Sequence, residues 1–280
     1  MRLQALPPPD RPGWLLSFDF DDTLYDARSA HGVPPDFFSL IRRLRTDYGI
    51  MWGINTGRSL DYLAEGYERD SRAPFAPDFL VTRERDIHLA DQGLHIRPYV
   101  PWNDACDEAH AKLFRHYRKF FTDLLRDLEA HCAHVDWWLQ KEDPYSLEMA
   151  DPADLDWAER LIMPAIAEHP EISFQRAGPY LRFCHADYNK GSALAHVAEL
   201  LGIPGERICI FGDSFNDLDA MKENPQAFCC CPSNAVDSVR HLVAARAGYE
   251  SPFPGPEGVM DAALPHAHSR RAAGAESLKW

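Results

Sequence analysis

Ser17-Phe18-Asp19-Phe20-Asp21-Asp22-Thr23-Leu24 puts three carboxylates within four positions, directly behind the apolar run Trp14-Leu15-Leu16. Residues 14–18 read as a short buried strand. The acids therefore stand just past a strand's carboxyl end, the edge at which open parallel sheets bind ligands. Carboxylates this crowded resist ionising together unless a cation or hydrogen bonds offset their charge. By itself a D-x-D pattern is ordinarily a solvated turn. What decides its meaning is whether later segments bring complementary groups.

Outward from this stretch, strands and helices alternate. Phe37, Leu40, Ile41 and Leu44 recur at helical spacing over 36–48, and Gly49 is placed as a C-terminal cap. A second strand at 50–54 runs into Asn55-Thr56-Gly57-Arg58. Residues 59–69 read as a capped helix and 77–82 as a third strand. From 84 to 187 the texture changes to a hairpin about Asp91-Gln92-Gly93, a long helix at 103–132, strands at 135–139 and 145–149, a helix at 153–169, and strands at 172–176 and 180–185. Alternation then resumes with a helix at 191–201 and a strand at 207–211 that empties into Gly212-Asp213-Ser214-Phe215-Asn216-Asp217. A short helix at 218–223, a strand at 227–231 and a helix at 235–245 follow. The expected fold class is α/β: a Rossmann-like parallel-sheet core domain over 1–83 and 188–280, with an inserted α+β cap domain over 84–187. The hinges are expected at 82–85 and 185–189, where the chain passes between the two.

A chain of 280 residues with 45% hydrophobic residues can bury a sizeable core. A net charge of -14 repels nucleic-acid backbones and anionic membranes alike, which leaves no nucleic acid and no membrane as expected partners. No apolar run approaches the roughly 20 residues that span a bilayer, and residues 1–12 lack the apolar segment of a secretory signal. A cytoplasmic protein, monomeric or a small homo-oligomer, is expected. The seven cysteines show no C-x-x-C spacing and include Cys229-Cys230-Cys231 on one strand, so they read as reduced thiols acting as small apolar residues.

Four polar segments follow strands of one parallel sheet: Asp19/Asp21, Thr56, Lys190 and Asp213/Asp217. Right-handed crossovers carry all such strand ends to one edge. Several carboxylates gathered there make an oxygen-rich pocket suited to Mg²⁺. Lys190 alone would be an ordinary solvated lysine and Thr56 a turn residue; their neighbours in the pattern change that reading. Asp22, pointing away from Asp21 on an extended segment, reads as a turn residue.

Asp19-Phe20-Asp21-Asp22-Thr23 resembles the D-x-D-x-T signature of the haloacid dehalogenase superfamily of aspartate-nucleophile phosphatases. Asn55-Thr56-Gly57-Arg58, Asn189-Lys190-Gly191-Ser192-Ala193-Leu194 and Gly212-Asp213-Ser214-Phe215-Asn216-Asp217 resemble its second, third and fourth motifs, in the right order. The insertion between the second and third resembles the large cap of the Cof-type branch, which includes sucrose-phosphate phosphatases and phosphomannomutases. The resemblance implies a Mg²⁺-dependent phosphatase acting on a small phosphorylated metabolite, with a phosphosugar as its substrate, through an aspartyl-phosphate. Asp19 would be the nucleophile and Asp21 the proton donor and acceptor, with a pKa raised by acidic neighbours. Asp19, the Asp21 carbonyl and Asp213 would hold Mg²⁺, with Asp217 and Asn216 completing or orienting that shell. Lys190, Thr56 and the Gly57 N–H would bind the phosphoryl group. Arg58 could meet phosphate or pair with an acid. Within the cap, Lys141, Glu148, Arg176, Arg182, His185, Trp137 and Trp138 have the chemistry to read a leaving group. Alternatives are a phosphomutase with the same nucleophile, and a phosphosugar-binding regulatory protein with weak turnover.

Overall fold

The computed structural model of the chain describes residues 1–132, 135–138, 145–149 and 151–263, with the backbone path alone at 135–138 and 177. The chain divides into two compact units, one of residues 1–99 with the segment from Lys190 onward, the other Val100–Asn189.

The first unit opens with β1 (Trp14–Phe18), α1 (Pro35–Tyr48), β2 (Ile50–Asn55), α2 (Leu60–Ala64), a π-helical turn at Glu65–Asp70, β3 (Phe79–Thr82), β4 (Asp86–Ala90) and β5 (Ile96–Pro98). The second unit holds α3 (Val100–His116), α4 (Arg118–His131), β6 (Val135–Trp138), β7 (Ser146–Met149), α5 (Pro152–Ile166), β8 (Ile172–Ala177) and β9 (Tyr180–His185). The chain then completes the first unit with α6 (Lys190–Leu200), β10 (Ile208–Phe211), α7 (Asp217–Glu223), β11 (Phe228–Cys231), α8 (Asp237–Ala245) and β12 (Tyr249–Glu250).

Strands of the first unit form one sheet in the order β12-β11-β10-β1-β2-β3-β4-β5. Pairing from β12 to β3 is parallel, and β4 and β5 add an antiparallel edge. The centre of the sheet is apolar on both faces, as parallel strands covered by helices must be. Phe18 on β1 stacks on Phe211 of β10 with ring centroids 4.6 Å apart, and meets Phe37 of α1 edge-on at 5.4 Å. Pro35 starts α1 with a preset φ, Gly49 ends it at φ 62°, and the buried Arg45–Asp78 pair fastens the helix to the segment before β3.

The second unit packs its helices over an antiparallel sheet of order β6-β7-β9-β8. Its own core includes Phe121, Leu124, Leu128, Leu147, Met149, Leu155, Ile162, Leu181 and Phe183. Asp151 caps α5 by accepting from the Ala153 N–H at 2.8 Å, with Pro152 at the first helical position. Arg176 is tied to Asp156 at 3.0 Å and Glu159 at 2.8 Å on that helix, which engages the guanidinium within the unit. Lys141 lies outside the described residues, as do the side chains of Trp137 and Trp138.

Three expectations are corrected. The inserted unit begins at Val100 and ends at Asn189, not at 84 and 187, because the β4–β5 hairpin extends the core sheet. Residues 82–85 are accordingly a hairpin turn and not a passage between units: Arg83 and Glu84 take φ of 50° and 65°, reversing the chain so that Ile87 pairs with Val81. The long helix of 103–132 is two helices broken at Tyr117 (φ −96°, ψ 18°), whose ring packs on His169 at 4.9 Å.

All seven cysteines are buried free thiols. No helix among the described residues is long and apolar enough to cross a membrane.

Candidate active site

The parallel register places the candidate groups at the carboxyl ends of adjacent strands. Asp19 follows β1, Thr56 follows β2, and Asp213 follows β10 by two residues. Lys190 opens α6 and Asp217 opens α7. Asp19 donates its backbone N–H to the Phe211 carbonyl at 2.8 Å, which extends the β1–β10 pairing to the acidic residue itself.

Lys190 is the hub. Its ammonium is fully buried and donates to Asp19 Oδ1 at 2.6 Å and to Asp217 Oδ1 at 2.8 Å. Burial alone would lower its pKa, but Asp19 and Asp217 outweigh that and raise it, so the amine stays an ammonium. Asp217 Oδ2 accepts the N–H groups of Asp213 and Ser214, each at 3.0 Å. A Cβ at Gly212 would sit 2.3 Å from the Asp217 carboxyl carbon, so only glycine lets the loop close over that acid. Asp213 Oδ1 accepts the Thr23 hydroxyl at 2.7 Å, and Asn234 Nδ2 bridges Asp213 Oδ2 at 3.3 Å and the Asp22 carbonyl at 2.9 Å. Asn55 Nδ2 donates to the Lys190 carbonyl at 3.0 Å, fastening the end of β2 to the start of α6.

Asp19, Asp213 and Asp217 offer carboxylate oxygens within 4.8 Å of one another. Burial and then Asp217 push Asp19 well up, against Lys190. The same two causes push Asp213 up to about 7, against the Thr23 hydroxyl. Three acids share one ammonium, so the cluster carries an excess of negative charge that a hard cation with oxygen ligands would neutralise. The residues fit a divalent metal. Among the described residues Asp19 Oδ2 receives no hydrogen bond, whereas both oxygens of Asp217 are engaged by donors.

The raised Asp213 pKa has a measurable sign. An unfolded-chain aspartate loses its proton near pH 3.9, whereas folded Asp213 keeps it to about 7. Between those values the native state binds more protons, so this residue's contribution to stability falls as pH rises through that window in metal-free protein. Asp213→Asn is expected to flatten the fall of Tm between pH 4 and 7 in EDTA. An unchanged slope would count against the assignment.

Asp21 departs from expectation. Its side chain is half exposed and does not join the acid cluster. Arg58 grips it instead, with Nε on Oδ2 at 2.9 Å and Nη2 on Oδ1 at 2.5 Å. The crowding expected among Asp19, Asp21 and Asp22 is found among Asp19, Asp213 and Asp217, because the chain turns immediately after Phe20: Asp22 sits at φ 53° with its side chain outward. Thr56 is buried and its hydroxyl accepts the Arg58 N–H at 3.2 Å, leaving its own proton to be donated. The Asn216 side chain turns to Glu84 instead of the acids, donating to Oε1 at 2.7 Å; Glu84 in turn gives its N–H to the Thr56 carbonyl at 2.9 Å, and a Cβ at Gly57 would lie 3.1 Å from Oε1. Glu84 and Asn234 are site residues that the motif reading missed. Both follow core strands, β3 and β11, as the recognised groups follow theirs.

The arrangement is a cluster of three buried carboxylates at a sheet edge around one buried lysine, with the geometry to hold a cation. A family model described as haloacid dehalogenase-like hydrolase matches residues 142–246. Among solved structures, the sucrose-phosphatase from Synechocystis sp. PCC6803, in complex with sucrose and phosphate, aligns over 91% of this chain and 98% of its own, at TM-score 0.68 and 18% identity. A haloacid dehalogenase-like hydrolase protein from Bacillus subtilis aligns over 92% and 93% at 0.64 and 15%, and a putative HAD/COF-like hydrolase from Plasmodium vivax over 93% and 97% at 0.63 and 15%. A search of curated protein sequences found no match. The sequence match to the haloacid dehalogenase-like family is confined to residues 142–246, and these solved structures share the fold of the chain. In sequence, the α+β unit of the chain lies between the second and third polar segments.

Proposed function

We propose that this protein is a Mg²⁺-dependent phosphatase of small phosphorylated metabolites, with phosphosugars as the substrate class. The observation that carries the reading is Asp19, buried between Lys190 and the Asp213/Asp217 pair, with one carboxylate oxygen free of hydrogen bonds among the described residues. The neighbouring sucrose-phosphatase fold supports a sugar ester as substrate.

Asp19 attacks phosphorus, an aspartyl-phosphate forms, and the ester P–O bond breaks. Asp21 gives its proton to the leaving oxygen and later takes one from the water that cleaves the intermediate. Lys190 and the Thr56 hydroxyl meet the negative charge of the transferring group. Asp19, the Asp21 carbonyl and Asp213 would hold Mg²⁺, with Asp217 orienting the shell; when bound, the ion neutralises the acids and the phosphoryl oxygens.

A panel of phosphorylated metabolites, assayed for phosphate release with Mg²⁺ and with EDTA, tests this. Release from one or more sugar phosphates that EDTA abolishes is expected. No release from any panel member in Mg²⁺ would sink the reading.

A further inference from the structure

The Arg58–Asp21 contact is built more deliberately than a surface ion pair. Both carboxylate oxygens are taken by two arms of one guanidinium, and the third arm donates to the Tyr62 carbonyl at 3.2 Å. The guanidinium carbon lies 4.9 Å from the ring centroid of Phe20 and 5.1 Å from that of Tyr25, two rings that stack on each other at 4.8 Å. Behind it runs the π-helical turn Glu65–Asp70. There a Cβ on Gly66 would come within 2.9 Å of Arg58 Nη1 and 3.0 Å of Phe20, so the glycine makes the space for the arginine. Arg58 also feels the charge of Asp19.

We propose that Arg58, seated on the Phe20–Tyr25 platform, is the positioning residue for Asp21. A bidentate fork fixes both the place and the plane of a carboxylate, which a point charge cannot do. Each carboxylate oxygen has two acceptor sites, so the fork leaves others open to a leaving group. A half-exposed aspartate without the fork would spread over its rotamers, and proton delivery would fall with the productive fraction. The inference rests on the phosphatase reading and on Asp21 as proton donor.

Aryl phosphates graded by leaving group test it: 4-nitrophenyl, phenyl and 4-methoxyphenyl phosphate, compared by kcat/KM. Proton donation matters little for 4-nitrophenolate and most for 4-methoxyphenolate. Arg58→Met is expected to lose on the order of 10-fold with the first and on the order of 100-fold with the last, the range of general acid catalysis. Asp21→Asn should steepen the series in the same way, and the double variant should lose little beyond Asp21→Asn alone. Arg58→Lys, which keeps the charge without the fork, should stay close to Arg58→Met and serves in its place if the methionine variant does not fold. An equal loss across the series, additive losses in the double variant, or full recovery by lysine would each overturn the proposal. Wild-type protein that releases phosphate neither from any aryl phosphate nor from any member of the metabolite panel would instead bring down the underlying phosphatase reading, and this inference with it.

Discussion

Asp19→Asn is expected to remain folded and to lose phosphate release by a factor on the order of 10⁴–10⁶, the scale seen when a covalent nucleophile is removed. The amide has the shape of the carboxylate, and its oxygen can still accept from Lys190, so the hydrogen bond at 2.6 Å is kept in weaker form. Trapping with radiolabelled phosphosugar should yield acid-stable labelled protein from the wild type and none from the variant. The substitution also removes one of three clustered acids. Folded stability in EDTA is therefore expected to hold or rise, even as activity vanishes. Retained turnover in a verified Asp19→Asn preparation would end the nucleophile assignment.

Lys190→Met pulls in the opposite direction on stability. The lysine is the one cation bonded to Asp19 and Asp217 among the described residues, and its side chain is completely buried. Removing it strands two carboxylates whose like charges already oppose one another. Breaking a buried pair this way costs about 3–5 kcal/mol, and less where an acid escapes by taking up a proton. Activity should drop on the order of 10²–10³-fold from the lost transition-state charge stabilisation alone. The two effects separate by experiment. Mg²⁺ should recover much of the lost Tm by neutralising the same acids, but not the lost rate. A variant with wild-type Tm in EDTA and wild-type kcat would contradict the hub role of this residue.

The core of the site was readable because strand ends are readable. Asp19, Thr56 and Asp213 each follow an apolar run whose length and β-branched or aromatic content announce a buried strand, and parallel topology does the rest. Lys190 was readable from its place at a helix start next to those motifs. What escaped depended on turns. Two residues at positive φ, Arg83 and Glu84, folded the β4–β5 hairpin back onto the core sheet. Neither is a glycine or asparagine, so no local signal marked the reversal. The same kind of reversal at Asp22 separated Asp21 from the acids and delivered it to Arg58. That pairing joins residues 37 apart in sequence: an acid was one of two readings open for Arg58, but no pattern names Asp21 as that acid. Glu84 and Asn234 carry no such signal, because the strands they follow, β3 and β11, end in no recognised motif.

The pairing of β1 with β10 joins Leu15 to Ile208 and Phe18 to Phe211, strands made nearly 200 residues apart during synthesis. The strand that leads into Asp19 therefore emerges early and waits. Until β10 has left the ribosome, β1 has one partner strand in place of two, and Asp19 lacks its anchoring carbonyl on Phe211. Meanwhile Val100–Asn189 is continuous in sequence and carries its own apolar core, so it can fold while the first unit is still incomplete. Loop closure across so long a span is the slow step in folding of this kind. The order of birth thus runs opposite to the proposed order of the chemistry: the residue proposed to act first is among the last to be locked in place.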